Sequence, residues 1–146
     1  INYCLTSDER IYNFKDTCIL VLTDLQGLNI SEKKEKMLIN YVKNFAKNNK
    51  MKLLFFPHRR GRYKLYKKMK LEVSKVNQIC FEDWYLKSRF RYNCKIFATG
   101  SSIWRVLEDK KIKTTLIDLG FKRDNWIKNN NLTDDVLDMK EIKESI

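Results

Sequence analysis

The pattern of apolar runs predicts an α/β fold, a parallel sheet of about five strands with helices on both faces. Three observations carry this. Short, nearly continuous apolar runs such as Cys18–Thr23 and Met51–Phe56 have the character of strands buried on both faces. They alternate with segments of helical periodicity, the pattern of a parallel sheet covered by helices. With one Pro and four Gly in 146 residues, the chain is also too poor in turn formers for a turn-dense all-β molecule. Its 43% hydrophobic and 12% aromatic content excludes global disorder. The length suits a single domain that buries about two thirds of the surface its unfolded form exposes.

The first strand, Cys18–Thr23, ends before Gly27 and Asn29 break the apolar pattern. Ser31 caps a helix running to about Asn49, with Met37, Leu38, Tyr41, Val42, Phe45 and Ala46 on one face. Met51–Phe56 is the second strand and stops at Pro57. A basic segment leads to a third strand at Val76–Phe81 and a helix over Glu82–Phe90. Lys95–Thr99 is the fourth strand, Ser101–Glu108 a helix, and Thr114–Leu119 the fifth strand. The acidic tail Thr133–Glu144 reads as a closing helix with Thr133 as its cap. No apolar run approaches the roughly 18–20 residues of a membrane-spanning helix. The opening Ile1-Asn2-Tyr3-Cys4 has neither the basic start nor the apolar core of a signal peptide. The missing initiating Met points to a fragment or a processed chain.

Cys4, Cys18, Cys80 and Cys94 contain no Cys-x-x-Cys pair, and His58 is the only histidine, which argues against a structural zinc site. Three of these cysteines lie in or beside strand-like runs, as buried thiols of a reducing cytoplasm do.

Charge is unevenly placed. From Lys36 to Leu71 there is no acidic residue, and the basic residues of that stretch match the whole excess of +12. Spaced lysines on a helix are ordinarily a solvated face. Pro57-His58-Arg59-Arg60-Gly61-Arg62 differs because it follows a buried strand directly, on the side where open parallel sheets bind ligands. Arginines there suit a phosphate or carboxylate; a general nucleic-acid patch or a plain surface loop are the other readings. Ala98-Thr99-Gly100-Ser101-Ser102 carries a strand through Gly into a helix opened by two serines. Such a start can hold an anion, and simple capping by Ser101 accounts for one serine without a ligand. Glu82, in Phe81-Glu82-Asp83-Trp84, can accept both hydroxyls of a ribose. Acids in the first turn of a helix need no ligand, and on spacing alone that plainer reading is preferred.

Taken in order, these segments resemble the bacterial sialyltransferases that decorate lipooligosaccharide and capsule, most closely glycosyltransferase family 52. The family's Phe-Pro-His-Pro-Arg corresponds to Phe56-Pro57-His58-Arg59-Arg60, its Ile-Phe-Glu-Asp-Tyr to Ile79-Cys80-Phe81-Glu82-Asp83-Trp84, and its Ser-Ser helix start to Gly100-Ser101-Ser102. The likeness covers roughly Thr17 to Leu119. Arg59 stands where the family has proline, and the family's acidic pair before Gly is met only by Asp24-Leu25-Gln26-Gly27.

The resemblance implies that residues 1–146 are one Rossmann-like domain binding a CMP-linked sugar, the carboxyl-terminal half of a two-domain GT-B enzyme. His58 would face the leaving phosphate as general acid or electrostatic stabiliser. Ser101 and Ser102, with Gly100, would hold that phosphate, Glu82 the ribose, and Arg59 and Arg60 would add charge. Asp24 is the candidate base. The implied reaction is inverting and metal-independent, with CMP-sialic acid as donor substrate and no cofactor. The implied partners are a nucleotide-sugar donor and a galactose-type glycan acceptor, with no nucleic acid. Homodimerisation and peripheral association with the inner face of the bacterial membrane through the basic surface are compatible with it. The competing readings are transfer from another nucleotide sugar, a basic nucleic-acid-binding module, and a catalytically silent interaction domain.

Overall fold

A computed structural model describes residues 16–71, 94–100, 104 and 113–142. Five strands, β1 (Thr17–Val21), β2 (Lys52–Phe56), β3 (Cys94–Thr99), β4 (Lys113–Asp118) and β5 (Asp135–Asp138), form one sheet. Every pairing is parallel, and the order across the sheet is β2-β1-β3-β4-β5. Helices α1 (Glu32–Asn48), α2 (Tyr63–Lys68) and α3 (Lys122–Asn129) flank it, and a short 3-10 turn, Met139–Glu141, follows β5. This is the expected Rossmann-like α/β fold.

Both faces of the sheet are buried. Cys18, Leu20, Phe55, Phe97 and Ile117 share one face and pack in a single core with Leu38, Ile39, Val42 and Ala46 of α1. Ile19, Val21, Ile96, Ala98 and Leu116 alternate onto the other face and are equally buried. Lys128 of α3 pairs with Asp118, which alternates onto that second face, so α1 and α3 lie on opposite sides. Right-handed crossovers require this, because β1 passes to β2 in one direction and β4 passes to β5 in the other.

Ser31 caps α1 as its sequence predicts, its hydroxyl accepting the Lys34 N–H at 3.2 Å. The buried stripe of α1 is turned from the expected one. Leu38, Ile39, Val42 and Ala46 line it together with Glu35, while Tyr41 is exposed. Four expected strands appear with ends shifted by a residue or two. Neither α2 nor α3 was anticipated by the periodicity. The expected strand Val76–Phe81 and helix Glu82–Phe90 lie outside the described residues. So does the Ser101–Glu108 helix, apart from buried Trp104.

The expected closing helix Thr133–Glu144 is replaced by β5 and the 3-10 turn, and Thr133 caps no helix. The cause is the otherwise open edge of β4. Thr133 Oγ1 accepts the Leu116 N–H at 3.1 Å, and the Asp134 carboxylate accepts the Thr114 N–H at 2.8 Å. Thr114 and Leu116 are buried, so a helix starting at Thr133 would leave their backbone donors unpaired. Strand pairing outweighs the weak helical preference of an Asp-rich segment.

Candidate functional site at the carboxyl edge of the sheet

The strand registers bring three loops to one edge. Val21 is level with Phe56 on one side and Ala98 on the other, so the turns after β1, β2 and β3 emerge side by side. The chain leaves β1 toward β2 and β3 toward β4, in opposite directions, which makes the β1/β3 boundary the switch point where such sheets open a crevice. The Asp24 loop occupies the middle. The His58 loop and the Gly100 turn stand on either side, about 10 Å apart at their bases, or two strand spacings.

The β1 and β3 ends are tied together. The Thr23 N–H donates to Thr99 Oγ1 at 2.8 Å, and Trp104 Nε1 donates to the Thr99 carbonyl at 3.1 Å. Asp24 turns its carboxylate back onto its own loop, where Oδ1 accepts the Gly27 N–H at 3.0 Å. A Cβ at position 27 would stand 2.5 Å from Asp24 Oδ2, so a larger residue there would push this carboxylate aside.

Gly100 is overlain from α3. A Cβ on it would lie 2.6 Å from Asp124 Oδ1 and 3.4 Å from Arg123 Cγ. Asp124 is 1% exposed, and its Oδ2 accepts both the Leu119 N–H at 3.0 Å and the Phe121 N–H at 3.1 Å. Burial pushes this carboxyl above its usual value, and the nearby Asp118 charge adds to the effect against the two N–H bonds. For Asp118, burial acts in the same direction. The Lys128 ammonium at 2.6 Å and the Gly120 N–H outweigh it and hold that carboxyl low.

The His58 loop is built from within. The His58 carbonyl accepts the Gly61 N–H at 2.8 Å and the Tyr63 hydroxyl at 3.1 Å. Its Nδ1 accepts the Arg60 N–H at 3.1 Å, so the neutral ring carries its proton on Nε2 and has that donor left for a ligand. Arg59 and Arg60 are exposed, with no carboxylate partner among the described residues. Arg62 is not available to an anion. It pairs with buried Glu35 at 2.5 Å and also donates to the Ile30 carbonyl at 2.6 Å. Tyr66 donates to the other Glu35 oxygen at 2.5 Å. Burial first, then the Glu35 bond and charge, push the Tyr66 hydroxyl far above its usual value and keep it a donor.

Of the residues singled out in the sequence, Asp24, His58, Arg59, Arg60 and Gly100 therefore share one edge. Glu82, Ser101 and Ser102 lie outside the described residues. Sequence reasoning missed Glu35 and Asp124. Glu35 could have been found as the one charge falling on the apolar stripe of α1, four residues before Ile39. Asp124 could have been found from its place in the first turn after Gly120. Among the described residues no group of three His, Cys, Asp or Glu side chains could hold a metal ion, and no helix is long and apolar enough to cross a membrane. Compared with models of protein families, with curated proteins and with solved structures, the chain matches none.

Proposed function

We propose that this chain is the nucleotide-sugar-binding domain of a glycosyltransferase that moves a sialyl group from CMP-sialic acid to a galactose-type acceptor on a bacterial surface glycan. The observation that supports it is the level arrangement of the His58-Arg59-Arg60 loop and the Gly100 turn on either side of Asp24, at the ligand-binding edge of a parallel sheet. In such a transfer the sugar centre becomes cation-like while negative charge grows on the departing phosphate. Fixed donors aimed at that phosphate lower the barrier. The His58 Nε2–H and the two exposed guanidinium groups are of the right chemistry for this, and no metal is called for. The family likeness adds Ser101 and Ser102 on the phosphate, Glu82 on the ribose and Asp24 as base toward the acceptor hydroxyl. Asp24 has only one carboxylate oxygen engaged by its own loop, which leaves the other to act. Under this reading the enzyme works in the bacterial cytoplasm. Exposed Lys64, Lys67, Lys68 and Lys70 are then available to the anionic inner face of the membrane.

Titration calorimetry at physiological salt tests the proposal. CMP and CMP-sialic acid should bind in preference to UMP and duplex DNA. Preference for UMP would transfer the reading to another nucleotide sugar. Tight, strongly salt-dependent DNA binding without a CMP signal would replace it by the nucleic-acid module.

A further inference from the structure

We propose that Glu35 is a positioning residue that sets the His58 loop against the Asp24 loop; this rests on the reading of His58 as a phosphate-facing group. Glu35 lies in the first turn of α1, just after the Asp24 loop and well before the His58 loop in sequence, and is 1% exposed. Its carboxylate is divided between two partners. Oε1 takes Arg62 Nη1 at 2.5 Å, and Oε2 takes the Tyr66 hydroxyl at 2.5 Å. Arg62 immediately follows Gly61, whose N–H closes the turn on the His58 carbonyl. Gly61 itself has room only for hydrogen, because a Cβ there would stand 2.7 Å from the Tyr66 hydroxyl and 2.9 Å from the His58 carbonyl. The turn that presents His58 is thus seated on the very hydroxyl that Glu35 holds.

The same guanidinium reaches the neighbouring loop. Arg62 Nη2 donates to the Ile30 carbonyl at 2.6 Å. Ile30 closes the Asp24 loop through its own N–H to Leu25 O, beside the Leu28 N–H to Asp24 O. One buried carboxylate therefore orients one arginine, and that arginine spans the loop carrying the candidate base and the loop carrying the candidate phosphate donor. The planar guanidinium serves the two partners from two different nitrogens, Nη1 and Nη2, held in one fixed fork, whereas lysine would have to reach both from a single nitrogen. A buried acid holding two donors on an otherwise apolar stripe is costly to maintain for packing alone. Its position at the junction of the two loops gives it a purpose. The expected consequence is a fixed imidazole: the Arg60 N–H stays on Nδ1, and the Nε2–H faces outward as a permanent donor.

The test combines nitrogen NMR of the single histidine with ligand titration. In the parent chain the His58 ring should show one neutral tautomer, protonated at Nε2. In Glu35→Gln both tautomers should appear, because the turn is no longer held. CMP affinity should fall roughly tenfold, as when an orienting partner behind a ligand group is lost, while cytidine affinity stays as in the parent. In a His58→Ala background, Glu35→Gln should cause no additional loss of CMP affinity, since the effect runs through the imidazole. Tyr66→Phe keeps the ring packed and removes one bond, so it should move the tautomer ratio in the same direction by less, and it serves if Glu35→Gln does not fold. An unchanged tautomer in both variants, equal losses for CMP and cytidine, or additive losses in the double variant would overturn the inference. If the parent binds no CMP, the functional reading fails, and the tautomer comparison alone still decides the role of Glu35.

Discussion

Replacing Asp124 by Ala should cost the fold about 2–4 kcal/mol, a value that follows from which donors lose their acceptor. The Leu119 and Phe121 N–H groups converge on the same oxygen, Oδ2, of a side chain that is 1% exposed. A buried N–H left without a partner costs roughly 1–3 kcal/mol. Phe121 is 37% exposed, so its N–H can turn to water and the larger share falls on Leu119. Loss of a side-chain acceptor at the start of α3 adds about 0.5–2 kcal/mol, as for a helix cap. Part of this is offset, because burial disfavours the Asp124 carboxylate itself. With a urea slope of about 2 kcal/mol per molar, the denaturation midpoint should fall by roughly 1–2 M with the slope unchanged. Asp124→Asn should stay within about 1 kcal/mol of the parent, since a single amide oxygen can replace Oδ2 for both donors. Tryptophan fluorescence in urea reads both variants. Equal midpoints for Asn and Ala would show that the Leu119 and Phe121 N–H groups do not depend on an oxygen at that one position.

The two carboxyls at the β4–α3 junction should respond to acid with opposite signs. Asp118 is held below its ordinary value in the fold, so its stabilising share is present above the ordinary carboxylate range and is lost as pH falls through its lowered value. Asp124 is raised, so its share is present at low pH and is lost as pH rises through its raised value. Between neutrality and about pH 4, thermal melting of Asp124→Asn should fall more than that of the parent, and from about pH 4 down to about pH 2 melting of Asp118→Asn should fall less; the reverse order would contradict these environments. The Cys18 thiol is fully buried in the sheet, and burial pushes it up to about 12 against the opposing charge of Lys95. Alkylation of the native chain at neutral pH, mapped by mass spectrometry, should leave Cys18 unmodified until urea unfolds the protein. Labelling at the rate of a free thiol would show that β1 is not buried.

The fold class was legible because two-faced burial writes itself into sequence as unbroken apolar runs. Cys18 to Leu22 and Leu53 to Phe56 need no pattern beyond that, and the hydroxyl of Ser31 marks the start of α1 directly. The tail was not legible. Nothing local in Asp135–Asp138 outweighs helix, and only the unpaired edge of β4, a partner about twenty residues upstream, makes it a strand. The helices α2 and α3 were hidden for the opposite reason, being short and strongly charged with only Leu65, Tyr66 and Ile127 as buried apolar anchors. At the candidate site, His58, Arg59, Arg60, Gly100 and Asp24 could be found because ligand loops follow strand ends in sequence. Arg62 looked equivalent to its neighbours, and its commitment to Glu35 could not be seen, since that contact depends on how α1 rotates over the sheet. The partners of Glu35, Arg62 and Tyr66, are likewise brought to it only by the folded chain, although its charge on an apolar stripe marks it locally. Asp124 is the more legible of the two, because it bonds the backbone of its near neighbours Leu119 and Phe121.

The proposed function requires the edge formed by the ends of β1, β2 and β3 to receive the phosphate of a cytidine nucleotide. Amide chemical-shift mapping of the labelled chain during a CMP titration tests it most directly. Saturable shifts are expected at Thr23, Asp24, His58, Arg59 and Gly100, with little change at Asp16, Lys52 and Lys113 on the opposite edge, and a smaller response at His58 and Arg59 with cytidine. Shifts confined to the exposed lysines of α1 and α2, or no saturable response at the strand ends, would contradict it.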